Sequence, residues 1–184
     1  MAREGVAGNE AGSRRQRRLS LPSDVTSALA LSRGERPLAW ARGTQGSWHV
    51  GTAVALHIGS PEGSRRVAWE QIERADWRSD ESQLVIVEVA GWGEPEVRTE
   101  LELVEPGRLL ELLRERVTKS VVINLYAPVR GRRGLSVVGR RSPSGDGEVA
   151  WSYVLGPGLD PEDPVVRQVA ERTLAQAQTE LAGL

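Results

Sequence analysis

The chain has 184 residues, enough for one domain or two small ones with a real hydrophobic core. Because it contains no cysteine, a disulfide framework, a thiolate metal site and a cysteine nucleophile are all excluded. Its formal net charge of -1 argues against a surface built as a whole for nucleic acid or anionic lipid, so any such binding must be local.

The first 20 residues carry almost nothing apolar to bury, and we predict a disordered tail over 1–20, with an arm that touches nucleic acid as the alternative. Four arginines between residues 14 and 18 precede a mildly apolar stretch, a pattern faintly like a twin-arginine export signal. Pro22 and Asp24 interrupt the place where an apolar export segment would lie. The chain has no apolar run near the roughly 18 residues of a membrane helix, so we expect a soluble cytoplasmic bacterial protein.

A short helix is predicted first within residues 21–120, with Ser23 or Asp24 as its N-cap and Gly34 as its stop. Short apolar segments separated by Gly, Ser, Pro and Asp follow, and they predict an antiparallel meander of about seven strands. In the last segment apolar residues alternate with charged ones, which is typical of a strand with one buried face. The segments lie at 37–41, 47–58, 65–72, 74–78, 83–90 and 97–104.

The periodicity changes to that of a helix at Pro106, and we predict a helix from there to Ser120 that closes the meander. Residues 121–184 are predicted to form an extension of three strands and one helix. Asp163 and Pro164 suit the N-cap and first turn of that helix, whose apolar stripe has to dock on a sheet. The expected fold class is therefore α+β and β-rich. The three predicted strands lie at 121–129, 134–141 and 148–155.

Three motifs between residues 31 and 77 carry a family resemblance. LSRGERPLAW is similar to the opening of bacterial pleckstrin-homology-like (PH/GRAM-type) domains, GSWHVGTAVALHI to their second and third strands, and RRVAWEQIERADW to their fourth strand and the turn after it. The resemblance implies that residues 21–120 form an antiparallel barrel of about seven strands closed by a helix. The whole chain also resembles proteins of GC-rich bacteria that join such a module to a C-terminal α/β piece.

The PH resemblance does not extend to lipid binding. Phosphoinositide-binding PH domains carry a basic cluster on their first two strands and the loop between them, whereas the corresponding segment ARGTQGS offers only Arg42. We therefore expect no phosphoinositide binding. Since fold alone does not establish a function, the resemblance implies a scaffold and names no activity.

The only imidazoles, His49 and His57, are candidates for catalysis or metal binding. A hairpin that turns near Thr52 and Ala53 would place His57 opposite Trp48 and His49 opposite Leu56. The two rings would then point to different faces of the sheet, at a half-exposed surface, and could not share a ligand. We therefore predict no catalytic residue, no metal site and no cofactor.

Carboxylates and tryptophans provide two further candidates. Glu100 and Glu102 share one strand face and could hold a cation or act as a general acid and base, but pairing of opposite charges with Arg98 or with neighbouring strands is the ordinary explanation. The chain has six Trp and no Phe, so most Trp should be core residues, among them Trp69, Trp77 and Trp151. Trp92 lies between two glycines, and we expect it to be exposed in a contact patch.

Five arginines lie on one predicted strand-turn-strand unit with no acidic residue between positions 130 and 141. A solvated edge strand explains them, and phosphate recognition is the alternative. The order helix, three strands, helix over 106–182 resembles a double-stranded-RNA-binding domain. That family has lysines at the start of the last helix, whereas 160–164 reads DPEDP here, so the resemblance is one of topology. The candidate residues are Arg130, Arg132, Arg133, Arg140 and Arg141.

These patterns favour a non-enzymatic interaction module whose partner is another protein. The alternative is nucleic-acid binding, above all RNA, through the arginine hairpin. An enzyme that uses carboxylates or a borrowed cofactor is the third possibility, and it requires a concave pocket with convergent polar groups.

Overall fold

The computed structural model describes residues 21–145 and 147–183, so the predicted tail over 1–20 lies outside the described residues. The described chain is α+β and strand-rich, as predicted. Two 3-10 turns, Trp69–Gln71 and Ser79–Glu81, flank the fifth strand. The helices and strands are α1 (Ser23–Ala28), β1 (Ala39–Gly43), β2 (Trp48–Gly51), β3 (Ala55–Ser60), β4 (Gly63–Ala68), β5 (Ile72–Arg78), β6 (Gln83–Glu88), β7 (Val97–Glu105), α2 (Leu109–Ser120), β8 (Val121–Arg130), β9 (Arg133–Arg140), β10 (Ala150–Leu155) and α3 (Pro164–Ala182).

The first seven strands form one antiparallel sheet in the order β4-β3-β2-β1-β7-β6-β5. The predicted number of strands is confirmed. The strand order leaves β4 and β5 at the two edges, and no closed barrel is found among the described residues. The pairing of β1 with β7 is short and irregular, because the register shifts between Arg42 and Gly43.

One face of this sheet is covered by α2 and holds the larger core. Trp69, Leu56 and Ile72 are fully buried there, together with Leu109 at the start of α2. The helix begins three residues later than predicted because Gly107 has a φ of +50°, in the left-handed region, so the right-handed helix starts only after it. The predicted helix is thus confirmed, but it begins later than expected.

The opposite face of β2 is covered by the segment that contains α1. Val25 and Leu29 are buried against Trp48 and Val50 in a separate small cluster. The predicted N-cap is wrong, because α1 begins at Ser23 with Pro22 before it and has no side-chain cap. The helix also ends at Ala28, well before Gly34. Its short length means that packing, and not capping, holds it.

The remaining strands form a second antiparallel sheet in the order β10-β9-β8, with α3 on one face. Leu135 and Val137 of the middle strand β9 are fully buried with Val166 and Ala170 of α3. The predicted cap is confirmed, since the backbone N–H of Val165 donates to the Asp163 carboxylate at 2.9 Å. Within the described part of the chain, no helix is both long and apolar enough to cross a membrane.

Two long-range contacts join the sheets. The Arg140 guanidinium of β9 donates to the backbone oxygen of Glu73 on β5 at 2.8 Å and to Ser120 Oγ at the end of α2 at 3.0 Å. Trp92, in the loop between β6 and β7, donates its indole N–H to the backbone oxygen of Pro161 at 3.2 Å. The Arg140 bonds hold β9 against β5 and the end of α2, and the Trp92 bond joins the β6–β7 loop to the segment before α3.

Candidate binding cleft

The structure places the five candidate arginines at two ends of β9. Arg130, Arg132 and Arg133 surround the β8–β9 turn, where Gly131 has a φ of +60°. The predicted hairpin turn is confirmed at residues 131–132, whereas Arg133 and Gly134, which were predicted to belong to it, already lie in β9. Arg130 forms an ion pair with Asp163, the N-cap of α3. The acidic start of α3 therefore neutralises part of the charge at the tip of the hairpin.

Arg140 and Arg141 lie at the other end of the strand, seven residues or roughly 23 Å from Arg133. Arg140 is only 6% exposed, so the prediction of a solvated edge is wrong for this residue. β9 is the middle strand, and the guanidinium donates to Glu73 and Ser120, while its Nε has no partner among the described residues. Burial lowers the pKa of Arg140, and the charge of Glu73 opposes that shift. The five arginines do not form one continuous patch.

The prediction that Trp92 is exposed is wrong. Its ring is half-buried and packs edge-on against Tyr153, with ring centroids 4.9 Å apart. Its N–H is satisfied by Pro161. Among the predicted core residues, Trp69 is fully buried, while Trp77 and Trp151 are half-buried and pack against their respective cores.

The two histidines lie on different faces, as predicted, but both are buried. The β2–β3 hairpin pairs His49 with Ile58 and His57 with Val50, two residues away from the predicted register. A shift of two residues preserves the side-chain faces, because the period of a strand is two. The prediction of a half-exposed surface is wrong, since His49 is 2% and His57 3% exposed.

His57 is held on the outer face by a network that fastens the N-terminal segment to the sheet. Its Nε2 lies 3.1 Å from Glu35 Oε1, and the Thr52 hydroxyl donates to the same oxygen at 2.6 Å. The Ser32 N–H donates to the other carboxylate oxygen at 3.1 Å. Burial by itself raises the pKa of Glu35, but the bonds from Thr52, His57 and Ser32 outweigh it and leave the pKa below its usual value. This network is a structural clamp.

His49 lies on the inner face, at the floor of an open cleft of about 670 Å³. The cleft lies where β1 and β7 separate. Their paired register ends at Gly43 and Leu103, one more backbone bond joins Thr44 to Glu102 at 3.2 Å, and the preceding residues of β7 pair with β6. The β1–β2 turn, the β3–β4 turn and β7 residues 100–102 then surround the gap. Ile58 and Leu101 add apolar surface to its walls.

Both ring nitrogens of His49 are buried without a hydrogen-bond partner among the described residues. Leaving a buried polar atom unpaired destabilises a fold by about 1–3 kcal/mol. Burial lowers the pKa of His49 to about 4, so the imidazole is neutral at physiological pH. A neutral ring offers one acceptor and one donor nitrogen, and here neither is used by the described residues. The floor of the cleft therefore has unused hydrogen-bonding capacity.

The rim of the cleft is acidic. Within the part of the chain that the structure describes, Glu62, Glu100 and Glu102 line it, against one cationic residue, Arg65. The Arg65 guanidinium reaches across the gap and donates to Glu88 at 2.8 Å and to the hydroxyl of Thr99 at 2.6 Å. It therefore ties β4 to β6 and β7, and its charge is paired with that of Glu88.

The carboxylate pair predicted from the sequence contributes to this rim. Glu100 accepts a bond from Arg98 at 3.2 Å, which confirms the expected pairing. Glu102 accepts a bond from the Thr44 hydroxyl at 3.0 Å, and no arginine or lysine of the described chain forms an ion pair with it. Among the described residues, no group of three or more His, Asp or Glu side chains is arranged to hold a metal ion.

Gly43 allows the polar groups behind the rim to approach each other. A Cβ at this position would lie 2.9 Å from His49 Nε2, 2.9 Å from the backbone oxygen of Glu102 and 2.1 Å from Ser47 Oγ. Any side chain at Gly43 would displace them. Sequence analysis missed this cleft, because it is assembled from residues that lie up to about 60 positions apart and no local pattern marks them.

The burial of His49 predicts a pH dependence of stability. With a pKa near 4 in the folded chain and about 6.5 in the unfolded one, the unfolded chain binds more protons between these values. The free energy of unfolding should therefore fall as the pH drops through this window, by about 2–3 kcal/mol between pH 7 and pH 4.5. Urea unfolding at both pH values measures the change.

The His49→Leu variant should lose most of that difference, whereas His57→Gln should keep it because His49 is intact. The carboxylates contribute equally to the wild type and to His49→Leu and cancel in that comparison. In His57→Gln, Glu35 loses the bond from His57 that helps to lower its pKa, so this variant shows only that the larger part of the pH dependence, which comes from His49, remains. An equal pH dependence in the wild type and in His49→Leu would contradict the assignment.

Comparison of the chain with protein-family models, with curated proteins and with solved structures finds no match.

Proposed function

We propose that the protein is a non-enzymatic cytoplasmic interaction module that binds a segment of a partner protein in the cleft above His49. The observation that carries this proposal is the combination of an open cleft with a buried, unpaired imidazole at its floor. A polar group of this kind is stabilised when a bound molecule supplies the missing hydrogen bond. Binding sites typically combine apolar walls with a few such polar groups.

The arrangement of polar groups favours binding over catalysis. A nucleophile or a general base needs a second group within hydrogen-bond reach that activates or orients it. His57 has such a partner in Glu35, but both side chains are 4% exposed and serve as a clamp on the opposite face. His49 faces the cleft without any such partner among the described residues.

We further propose that residues 21–120 adopt the PH-like arrangement that their sequence resembles. Seven antiparallel strands followed by a helix support this, as does the link from Arg65 on the edge strand β4 to Thr99 on β7. In such an arrangement the cleft would lie at the open end opposite α2. The functional proposal does not depend on the family, since it rests on the cleft.

Selection of displayed random peptides on the immobilised full chain tests the proposal. Selected peptides should bind with a dissociation constant below about 100 μM, and their contacts should map by amide chemical shifts to the β1–β2 and β3–β4 turns. Thr44→Trp, which places a large ring on the rim, should weaken binding at least tenfold. Thr179→Trp, on the exposed face of α3, is the matched control and should bind like the wild type. Peptides that bind both variants equally would contradict the site.

The alternative, RNA binding by the arginine hairpin, leads to a separate prediction. Because Arg130 is paired with Asp163 and Arg140 is buried, we expect no salt-sensitive RNA binding by the wild type. Replacing Arg130, Arg132 and Arg133 by Gln should change the free energy of unfolding by less than about 1 kcal/mol. Fluorescence anisotropy with labelled RNA at 50 and 200 mM salt measures the binding.

The matched control removes three exposed arginines elsewhere, Arg108, Arg114 and Arg172. Micromolar binding that falls steeply with salt, and that is abolished by the hairpin variant but kept by this control, would establish the alternative.

A further inference from the structure

We propose that the cleft takes a cationic hydrogen-bond donor, the guanidinium or ammonium group of an arginine or lysine carried by a basic segment of the partner. This inference rests on the proposed function and adds the chemical class of the ligand. Three features of the cleft support it: the charge of its rim, the acceptor at its floor, and the apolar character of its walls.

The charge of the rim selects against anions. Glu62, Glu100 and Glu102 line the cleft together with Arg65, whose charge is paired with Glu88 and which also donates to Thr99. Arg98 neutralises Glu100 in part, but among the described residues Glu102 receives only a hydroxyl donor from Thr44 on its side chain. An entering phosphate or carboxylate would meet these carboxylates, while an entering cation would be attracted to them.

The floor offers an acceptor that a cation can use. His49 is 2% exposed and both of its nitrogens are unpaired among the described residues, so one nitrogen can accept an N–H bond from a ligand that reaches the floor. A guanidinium has five N–H donors and an ammonium has three, and such a group could bond to the imidazole and to the Glu102 carboxylate together.

The walls fit the aliphatic stem of such a side chain. Ile58 and Leu101 line the cleft between the acidic rim and the imidazole floor. Arginine and lysine bury their methylene stems along apolar surface and keep the charged end in polar surroundings. A volume of about 670 Å³ exceeds one side chain, so neighbouring peptide residues can enter as well. This is why we assign the cation to a peptide and not to a small free amine.

The test uses the full chain labelled with ¹⁵N and five probes. The probes are acetyl-Ala-Ala-Arg-Ala-Ala-amide, the same peptide with lysine, the same peptide with the neutral isostere citrulline, inorganic phosphate, and the small free amine spermidine. The arginine and lysine peptides should bind with dissociation constants in the millimolar range or tighter and should shift the imidazole nitrogens of His49. The citrulline peptide should bind at least tenfold more weakly, since it keeps the shape and loses the charge.

Substitutions test whether the carboxylates of Glu100 and Glu102 attract the cation. The double variant Glu100→Gln, Glu102→Gln should bind the arginine peptide about tenfold or more weakly than the wild type does. The matched control, Glu115→Gln combined with Glu171→Gln, removes two exposed carboxylates on the helices and should leave binding unchanged. Thermal unfolding of both double variants verifies that each remains folded.

The outcomes separate this inference from the proposed function. Phosphate that shifts the His49 nitrogens while the basic peptides do not would overturn the ligand class and leave the cleft as a binding site. Equal binding of the citrulline and arginine peptides would also overturn it. Binding of spermidine without binding of either basic peptide would show that the ligand is a small amine and would overturn its assignment to a peptide. Selected library peptides that map away from the cleft would overturn the proposed function itself.

Discussion

A chain truncated before Asp163 is expected to lose the cooperative folding of the second sheet and to aggregate. The truncation removes α3, whose Val166, Ala170 and Ala177 are at most 2% exposed against the three-stranded sheet. Leu135 and Val137 would then face water, and each exposed aliphatic side chain of this size destabilises the fold by roughly 1.5–3 kcal/mol. The total is comparable to the 5–15 kcal/mol by which typical domains are stable. Near-ultraviolet circular dichroism and dye binding to exposed apolar surface measure the loss.

A chain that ends at Gln178 is the matched control. It removes only the last turn of α3 and keeps every fully buried residue of the helix. It should unfold cooperatively, with a free energy of unfolding close to that of the full chain. A soluble and cooperatively folded truncation before Asp163 would contradict the role of α3 as the cover of the second sheet.

Replacing Trp69 by Ala is expected to lower the free energy of unfolding by about 3–5 kcal/mol. The indole is fully buried at the junction of β4 and β5, where it meets α2. Its N–H donates to the backbone oxygen of Thr52 at 3.1 Å, in the β2–β3 turn. The variant therefore leaves a cavity and one buried acceptor without its donor. Urea unfolding at pH 7, where His49 does not contribute a pH effect, measures the change.

Two further substitutions divide this effect into its parts. Trp69→Phe keeps most of the ring and loses the hydrogen bond, so it should destabilise by about 1–3 kcal/mol. Trp77→Ala removes a half-buried ring from the periphery of the same core and should have a smaller effect than Trp69→Ala. A loss of less than about 1 kcal/mol in Trp69→Ala would show that the core closes over the gap.

Sequence analysis predicted part of the candidate site. The strand period placed His49 and His57 on opposite faces, and this survived an error of two residues in the register because both registers share the same faces. Burial could not be predicted in the same way. His57 is covered by Glu35, 22 positions away, and His49 lines a cleft together with residues 100–102 of β7, about 50 positions away.

Trp92 and Arg140 were misjudged for a related reason. Local sequence describes Trp92 as a turn residue between glycines and Arg140 as one of several arginines on a hairpin. Their partners, Pro161 and Glu73, are 69 and 67 positions away. A contact of that range depends on how the two sheets are joined, and no periodicity within either segment carries that information.

What the sequence determined by itself is the set of elements and their order. Alternation and helical spacing predicted the strands and the two longer helices, Asp163 and Pro164 predicted the start of α3, and glycine predicted the β8–β9 turn. These are local properties, because side-chain period, capping and positive φ depend on neighbouring residues. Tertiary structure alone decided which faces are covered, which charges are paired, and where β1 and β7 separate to open the cleft above His49. These depend on contacts between distant segments, whose energies are set by burial and geometry in the folded chain.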